Sequence, residues 1–186
     1  MEIIWIKLYN LMEVKKADFT GVLLLTPSVI EDSRGSFMES YRSEWFTGVK
    51  FIQDNQAVSK KGVVRGLHFQ RPPFVQTKLI RVIEGEILDV IVDLRKSSET
   101  FGKVFSVKLS AQNKLQLLVP KGFAHGYATL SDSATVLYKV DQYYSKNYDT
   151  GIHPLSKALA IDWGVDSMLS EKDQYLPDYS DFKSPF

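Results

Sequence analysis

The chain has 186 residues, 44% of them hydrophobic and 24% charged, which is the balance of an ordinary globular protein long enough to bury one sizeable core. Its 23 basic and 22 acidic residues leave a net charge of +1, so it lacks the basic excess that marks a nucleic-acid partner. The absence of cysteine excludes disulfides and thiolate metal sites and fits a cytoplasmic location.

The N-terminal run "MEIIWIKLYNLMEVKK" is interrupted by Lys7, has no basic residues ahead of its apolar part and lacks a small-residue cleavage site. It reads as an extra strand or a frayed extension, not as a signal peptide. Nothing in the chain approaches the roughly 18 apolar residues of a membrane span, so no membrane partner is expected. After it the hydrophobic period is mostly two. Strands are expected over "GVLLLTP" (21–27), "SFMESY" (36–41), "FIQDNQAVS" (51–59) and "VVRGLHFQ" (63–70). The stretch "TKLIRVIEGEILDVIVDLR" (77–95) reads as two strands around Glu84-Gly85-Glu86, followed by "KVFSVKLS", "KLQLLVP", "AHGYATL" and "ATVLYKVDQYY". Short helical turns are expected near Arg42–Phe46, in "SAQNK" ahead of Leu115, and after Ser170. Many short strands at close spacing predict a mainly β fold: a sandwich, jelly roll or small barrel. No repeat or linker divides the chain, so one domain is expected.

Three constellations could carry chemistry. Pro120, Gly122 and His125 in "VPKGFAHGYATL" form P-x-G-x-x-H, the second signature of the cupin jelly roll, which delivers a histidine to the barrel mouth. A cupin metal site draws more ligands from H-x-H and a glutamate, but Gln70 stands two residues after His68. One histidine of that pair is missing, so no metal is expected; the alternative for His125 is a core histidine bonded to backbone. Second, Arg65, His68, Lys78 and Arg81 interrupt otherwise apolar strands, joined by Arg34 and by Gln53–Asn55. They are either solvated outward faces or the lining of a polar barrel interior, because burying them unpaired costs several kcal/mol each. Arginines in such a lining suit bidentate contacts with a diphosphate. Third, Tyr138 in "ATVLYKVDQYY" is either packing or a proton donor. Asp173 lies three residues after Ser170, at a spacing that a helix cap alone would explain.

Taken together, "EDSRGSFMES", "FIQDNQAVS", "VVRGLHFQ", "QTKLIRVIEGEILDVIVDLR", "SSETFGK", "VPKGFAHGYATLSD", "LYKVDQYY" and "LAIDW", in that order, closely resemble the dTDP-4-dehydrorhamnose 3,5-epimerases over roughly residues 13 to 175. The resemblance implies a cofactor-free, cupin-type jelly-roll epimerase, usually a homodimer, acting on a nucleotide-linked 4-keto sugar. It places His68 at the catalytic base, Tyr138 at the acid, Asp173 at the carboxylate paired with the base, and Lys78 near the keto oxygen. Arg34, Glu39, Gln53, Asn55, Arg65, His125, Asp149 and Lys172 fall at substrate-contacting positions. Family chains tend to begin near Met12, which makes residues 1–11 an expected N-terminal extension to a domain spanning 12–186. Departures from the family pattern are Thr77 for a smaller residue, Asp149 for glutamate, Lys146 for proline, and "IHPLSKALAIDW" without the usual tryptophan and aspartates.

This chemistry explains charged groups on a core strand. A C4 ketone acidifies the hydrogens at C3 and C5; a base removes one from one face, and an acid returns one from the other. The alternatives are an epimerase of C3 alone or of another sugar nucleotide, a cupin 3,4-ketoisomerase, a metal-dependent cupin oxygenase, and a binding module without catalysis. The combination of His68, Lys78, Tyr138 and Asp173 speaks for catalysis, since a binder needs no acid–base pair.

Overall fold

The computed structural model describes residues 12–186, so the expected extension over residues 1–11 lies outside the described residues. The strands are β1 (Met12–Lys16), β2 (Leu23–Pro27), β3 (Ile30–Asp32), β4 (Gly35–Phe37), β5 (Gln53–Lys60), β6 (Val64–Gln70) and β7 (Lys78–Glu84). They continue as β8 (Glu86–Asp93), β9 (Val104–Ser110), β10 (Gln116–Val119), β11 (Phe123–Thr129), β12 (Ser133–Val140) and β13 (Asp149–Gly151). Helix α1 is a single turn, Glu171–Gln174, and Ser43–Trp45 and Tyr179–Asp181 are 3-10 turns. None is long and apolar enough to cross a membrane.

Two sheets face each other as a jelly roll. One has the order β1-β2-β10-β7-β12-β5, the other β13-β6-β11-β8-β9, and β3 and β4 form a separate ribbon. Between the sheets Ile80, Val82, Ile87, Ile91, Leu117, Phe123 and Val136 form the main core. A second cluster, including Val64, Leu67, Phe69, Val90, Val92, Ile152 and Trp163, lies on the other side of the five-stranded sheet. That sheet is therefore buried on both faces, which is why β11 is buried along its whole length and shows no alternation. A third cluster of Trp45, Phe46, Leu25, Leu79 and Leu118 covers part of the outer face of the six-stranded sheet.

Strand β5 keeps the period of two, with Gln53, Asn55, Ala57 and Ser59 turned inward and Asp54, Gln56 and Val58 exposed. This alternation gives the site a polar wall. The two strands around Gly85 do not pair with each other: β7 lies in the six-stranded sheet and β8 in the five-stranded one. Gly85 is the corner between sheets. Its φ is +76, and a Cβ there would lie 2.1 Å from the Ser133 carbonyl oxygen, so no other residue fits without movement.

Two expected elements differ. Of "SFMESY" only Ser36 and Phe37 belong to a strand, paired with β3; farther on, the Ser40 carbonyl accepts from the Gln116 side chain instead of a ladder. "SAQNK" forms no helix. The Asn113 side chain accepts from the N–H groups of Ser110 and Leu115, and Lys114 takes φ +57, which makes a local turn that competes with helix. Strand β13, not expected from sequence, extends the five-stranded sheet beside β6.

Candidate active site

The site begins where β6 and β11 approach unusually closely. Gly66 has φ +124, and a Cβ on it would lie 2.5 Å from the Gly126 Cα. Removing both side chains lets the strands touch, with a bulge between His125 and Tyr127, and sets His68 opposite His125. His68 Nε2 lies 2.6 Å from Asp173 Oδ1. A carboxylate only accepts, so Nε2 carries the proton and the Nδ1 lone pair is left as the basic position.

Asp173 comes from α1, 105 residues along the chain. Its backbone N–H donates to the Ser170 side chain at 3.2 Å, which caps the helix. The carboxylate is a separate matter: it is buried and reaches His68. Cap and partner are thus two roles for one residue, through different atoms. Burial works against the Asp173 charge, but the hydrogen bonds from His68, Ser170 and the Gly66 N–H outweigh it and hold the carboxyl below its usual range.

A cavity of about 470 Å³ opens beside this pair, lined among others by Arg65, His68, Lys78, His125, Tyr138 and Asp173. A neighbouring cavity of about 280 Å³ is lined by Gln53, Asn55, Tyr144 and Asp149, and shares His68, Lys78 and Tyr138 with the first. Those three side chains stand at the junction. Tyr138 and Lys78 reach it from adjacent strands of the six-stranded sheet, β12 and β7. Burial lowers Lys78 to about 8, opposed by the charges of Asp149 and Asp89. Burial also raises the Tyr138 phenol above its usual value, so it keeps its proton at neutral pH.

Around the junction, Gln53 donates through Nε2 to Asn55 Oδ1 at 2.8 Å. Asp149 accepts from Lys172 Nζ at 2.5 Å and from the Tyr144 hydroxyl at 3.1 Å. His125 pairs through its side chain with a carboxylate. Its Nε2 faces both oxygens of Asp89, at 2.9 and 3.1 Å, and Asp89 is fully buried. Among the described residues no group of three His, Cys, Asp or Glu side chains gathers into a metal-ligand cluster.

Two expected site residues stand apart. Arg34 is exposed on the β3–β4 ribbon and pairs with Asp32 at 2.6 Å. Glu39 pairs with Arg42, and neither Arg34 nor Glu39 lines the two cavities. Arg81 does not reach them either; it is on the opposite face of β7 from Lys78. Sequence reasoning missed Asp89, Ser59 and Tyr127. Asp89 carried the same signal as the residues that were found, a charge inside the apolar run "ILDVIVD". Gln70, where a metal-binding cupin has its second histidine, ties down the 143–145 segment: its Nε2 donates to the Tyr143 carbonyl and its Oε1 accepts from the Ser145 N–H.

A family model described as dTDP-4-dehydrorhamnose 3,5-epimerase matches residues 16–181. The chain belongs to that family. This epimerase family is a family of isomerases, and the match includes all four residues His68, Lys78, Tyr138 and Asp173 within its span. The dTDP-4-dehydrorhamnose 3,5-epimerase of Shigella flexneri is 48% identical over 168 residues, 87% of this chain and 93% of the relative. Among solved epimerases, that of Bacillus anthracis str. Ames, with TDP and PPi bound, is 50% identical with TM-score 0.87, covering 90% of this chain and 99% of that one. The dTDP-6-deoxy-D-glucose-3,5-epimerase of Legionella pneumophila Philadelphia 1, in complex with dTDP-4-keto-L-rhamnose, is 38% identical with TM-score 0.87, covering 92% and 95%.

Proposed function

We propose that this chain inverts C3 and C5 of a nucleotide-linked 4-keto-6-deoxy sugar, converting dTDP-4-dehydro-6-deoxy-glucose to dTDP-4-dehydro-rhamnose through an enolate. The observation that carries the reading is the convergence of the Asp173-bound His68, buried Lys78 and Tyr138 at one cavity junction. His68 removes the proton alpha to the ketone, and Asp173 fixes its tautomer and stabilises the imidazolium. Lys78, charged below about pH 8, stabilises the oxyanion that develops at C4; such fixed charge in a desolvated site is usually the largest catalytic contribution. Tyr138, kept protonated by burial, returns a proton from the opposite face. These side chains supply every proton transfer in the reaction, so the proposed mechanism requires no cofactor.

In the same reading Arg65, His125, Lys172, Asp149, Gln53 and Asn55 hold the sugar nucleotide. Arg34 and Glu39 join them from a second subunit. The ribbon that carries Arg34 also exposes Phe37 and Ile30, an apolar pair suited to a homodimer contact. Residues 12–186 act as the catalytic domain, and a cysteine-free chain with a charged, water-soluble substrate suits the cytoplasm. The deciding experiment is incubation with dTDP-4-keto-6-deoxyglucose in deuterated water. Deuterium at both C3 and C5 of an inverted product supports the proposal; exchange at C3 alone would replace it with a monoepimerase.

A further inference from the structure

Arg65 belongs to an exposed strand position, yet its guanidinium is tethered. Its Nε donates to Ser59 Oγ at 2.9 Å and its Nη2 to the Val58 carbonyl at 3.3 Å. Ser59 is on β5, in the opposite sheet, so the contact bridges the two walls of the larger cavity. Ser59 is itself held by the Tyr127 hydroxyl at 3.3 Å. Tyr127 lies directly across from Arg65 in the β6–β11 pair, and Ser59 and Tyr127 are both only 4% exposed. Two buried hydroxyls are thus spent on one arginine. Arginine carries five N–H donors in a rigid plane, and fixing Nε and one Nη2 hydrogen sets that plane while leaving the Nη1 fork open.

We propose that Ser59 and Tyr127 are positioning residues that hold Arg65 as a preset clamp for the diphosphate of the substrate, acting on binding and not on proton transfer. This rests on the sugar-nucleotide reading above. A free arginine samples many rotamers and gives up that freedom when it grips an anion; a preset one has already lost it. Tyr127 acts mainly by fixing the Ser59 hydroxyl, with its own hydroxyl also close to the Arg65 guanidinium.

The test measures binding of dTDP, thymidine and inorganic pyrophosphate by calorimetry, with kcat and KM alongside, for wild type, Ser59→Ala, Tyr127→Phe, Arg65→Ala and Ser59→Ala/Arg65→Ala. Ser59→Ala should weaken dTDP and pyrophosphate by roughly three- to tenfold, leave thymidine unchanged, and raise KM while kcat stays within about twofold. Tyr127→Phe should do the same by a smaller factor. In the Arg65→Ala background the Ser59 change should have no further effect, because nothing remains to position. Equal loss for thymidine, undiminished loss in the Arg65→Ala background, or a fall in kcat with unchanged KM would each overturn the proposal. So would a wild type that binds neither diphosphate. If pyrophosphate binding shows the coupling while the sugar nucleotide is not epimerised, the clamp stands and the proposed reaction fails.

Discussion

His68 and His125 sit opposite each other across β6 and β11, and each turns its Nε2 to an aspartate, Asp173 for the first and Asp89 for the second. The two pairs differ in access. The His68 side chain is 29% exposed while that of His125 is 8% exposed, so only the first imidazole has the opening that a base needs to meet a substrate carbon. The second pair is set deeper, with Asp89 fully buried behind a His125 that still lines the cavity.

Asp173→Asn separates the cap from the proposed partner of the base. The cap uses the backbone N–H and Ser170, which the substitution leaves alone. Thermal stability should fall only modestly, through the hydrogen bonds that favour the carboxylate, while kcat should fall by about 10²-fold or more, since an amide no longer stabilises the imidazolium. Equal losses of melting temperature and turnover, followed by calorimetry and steady-state kinetics, would return Asp173 to a structural role.

The two proton carriers should fail differently. His68→Ala should abolish both solvent exchange and epimerisation, because no enolate forms. Tyr138→Phe should leave the base working, so that deuterium enters with retained configuration while epimer formation falls. Each loss should be about 10²–10⁴-fold, or roughly 3–5 kcal/mol in barrier. NMR of the sugar in deuterated water reads both outcomes, and near-wild-type epimerisation by Tyr138→Phe would remove Tyr138 from the mechanism.

Lys78 should set the alkaline limb of the pH profile. Burial favours its neutral form and brings it to about 8, so the ammonium is present below that pH and lost above it. Turnover should therefore decline as pH rises through about 8. Tyr138, raised by burial, does not titrate in that range. Lys78→Arg, which keeps its charge, should be slower than wild type but should lose the decline near 8; a limb that persists unchanged in this variant would assign it to another group.

Gly66→Ala tests the close approach of the two strands. The new methyl would meet the Gly126 backbone at 2.5 Å and impose an alanine on φ +124. A destabilisation of about 1–3 kcal/mol or more is expected, with activity reduced because β6 must move away from β11. Urea unfolding and kinetics check this; an alanine variant of unchanged stability would show that the approach is not tight.

The proposed catalytic set stood out in the sequence because it breaks a local rule that the core obeys. His68, Arg65 and Lys78 are polar groups in apolar strands, a conflict that only a lined interior resolves. Tyr138 and Asp173 had ordinary structural explanations and were picked out by the resemblance alone; the fold then joined them to the others. What stayed hidden depends on long-range pairing. The residues around Gly85 read as two strands about a turn, but membership of opposite sheets is decided by contacts with β10, β11 and β12. Asp89 carried the same conflict of a charge in an apolar run, but its pairing with His125, 36 residues away, shows only in the fold; β13 stayed hidden because three residues are too few to show a period. The expected strand at 36–41 ended early because residues beyond Phe37 find no strand to pair with.

The sheet switch at Gly85 also bears on when the enzyme becomes active during folding. Neighbouring strands in the chain are mostly not neighbours in a sheet: β5 waits for β12, and β6 for β11 and then β13. Each such pairing must close a long loop before its contacts return any stability, which places jelly-roll chains among the slow folders. His68 meets its carboxylate only after a closure of 105 residues. A nascent chain that has emerged as far as β12 holds His68, Lys78 and Tyr138, yet no Asp173 to set the tautomer of His68. Competence therefore arrives with the last turn of helix, and a chain truncated before α1 should display the cavity wall without the chemistry.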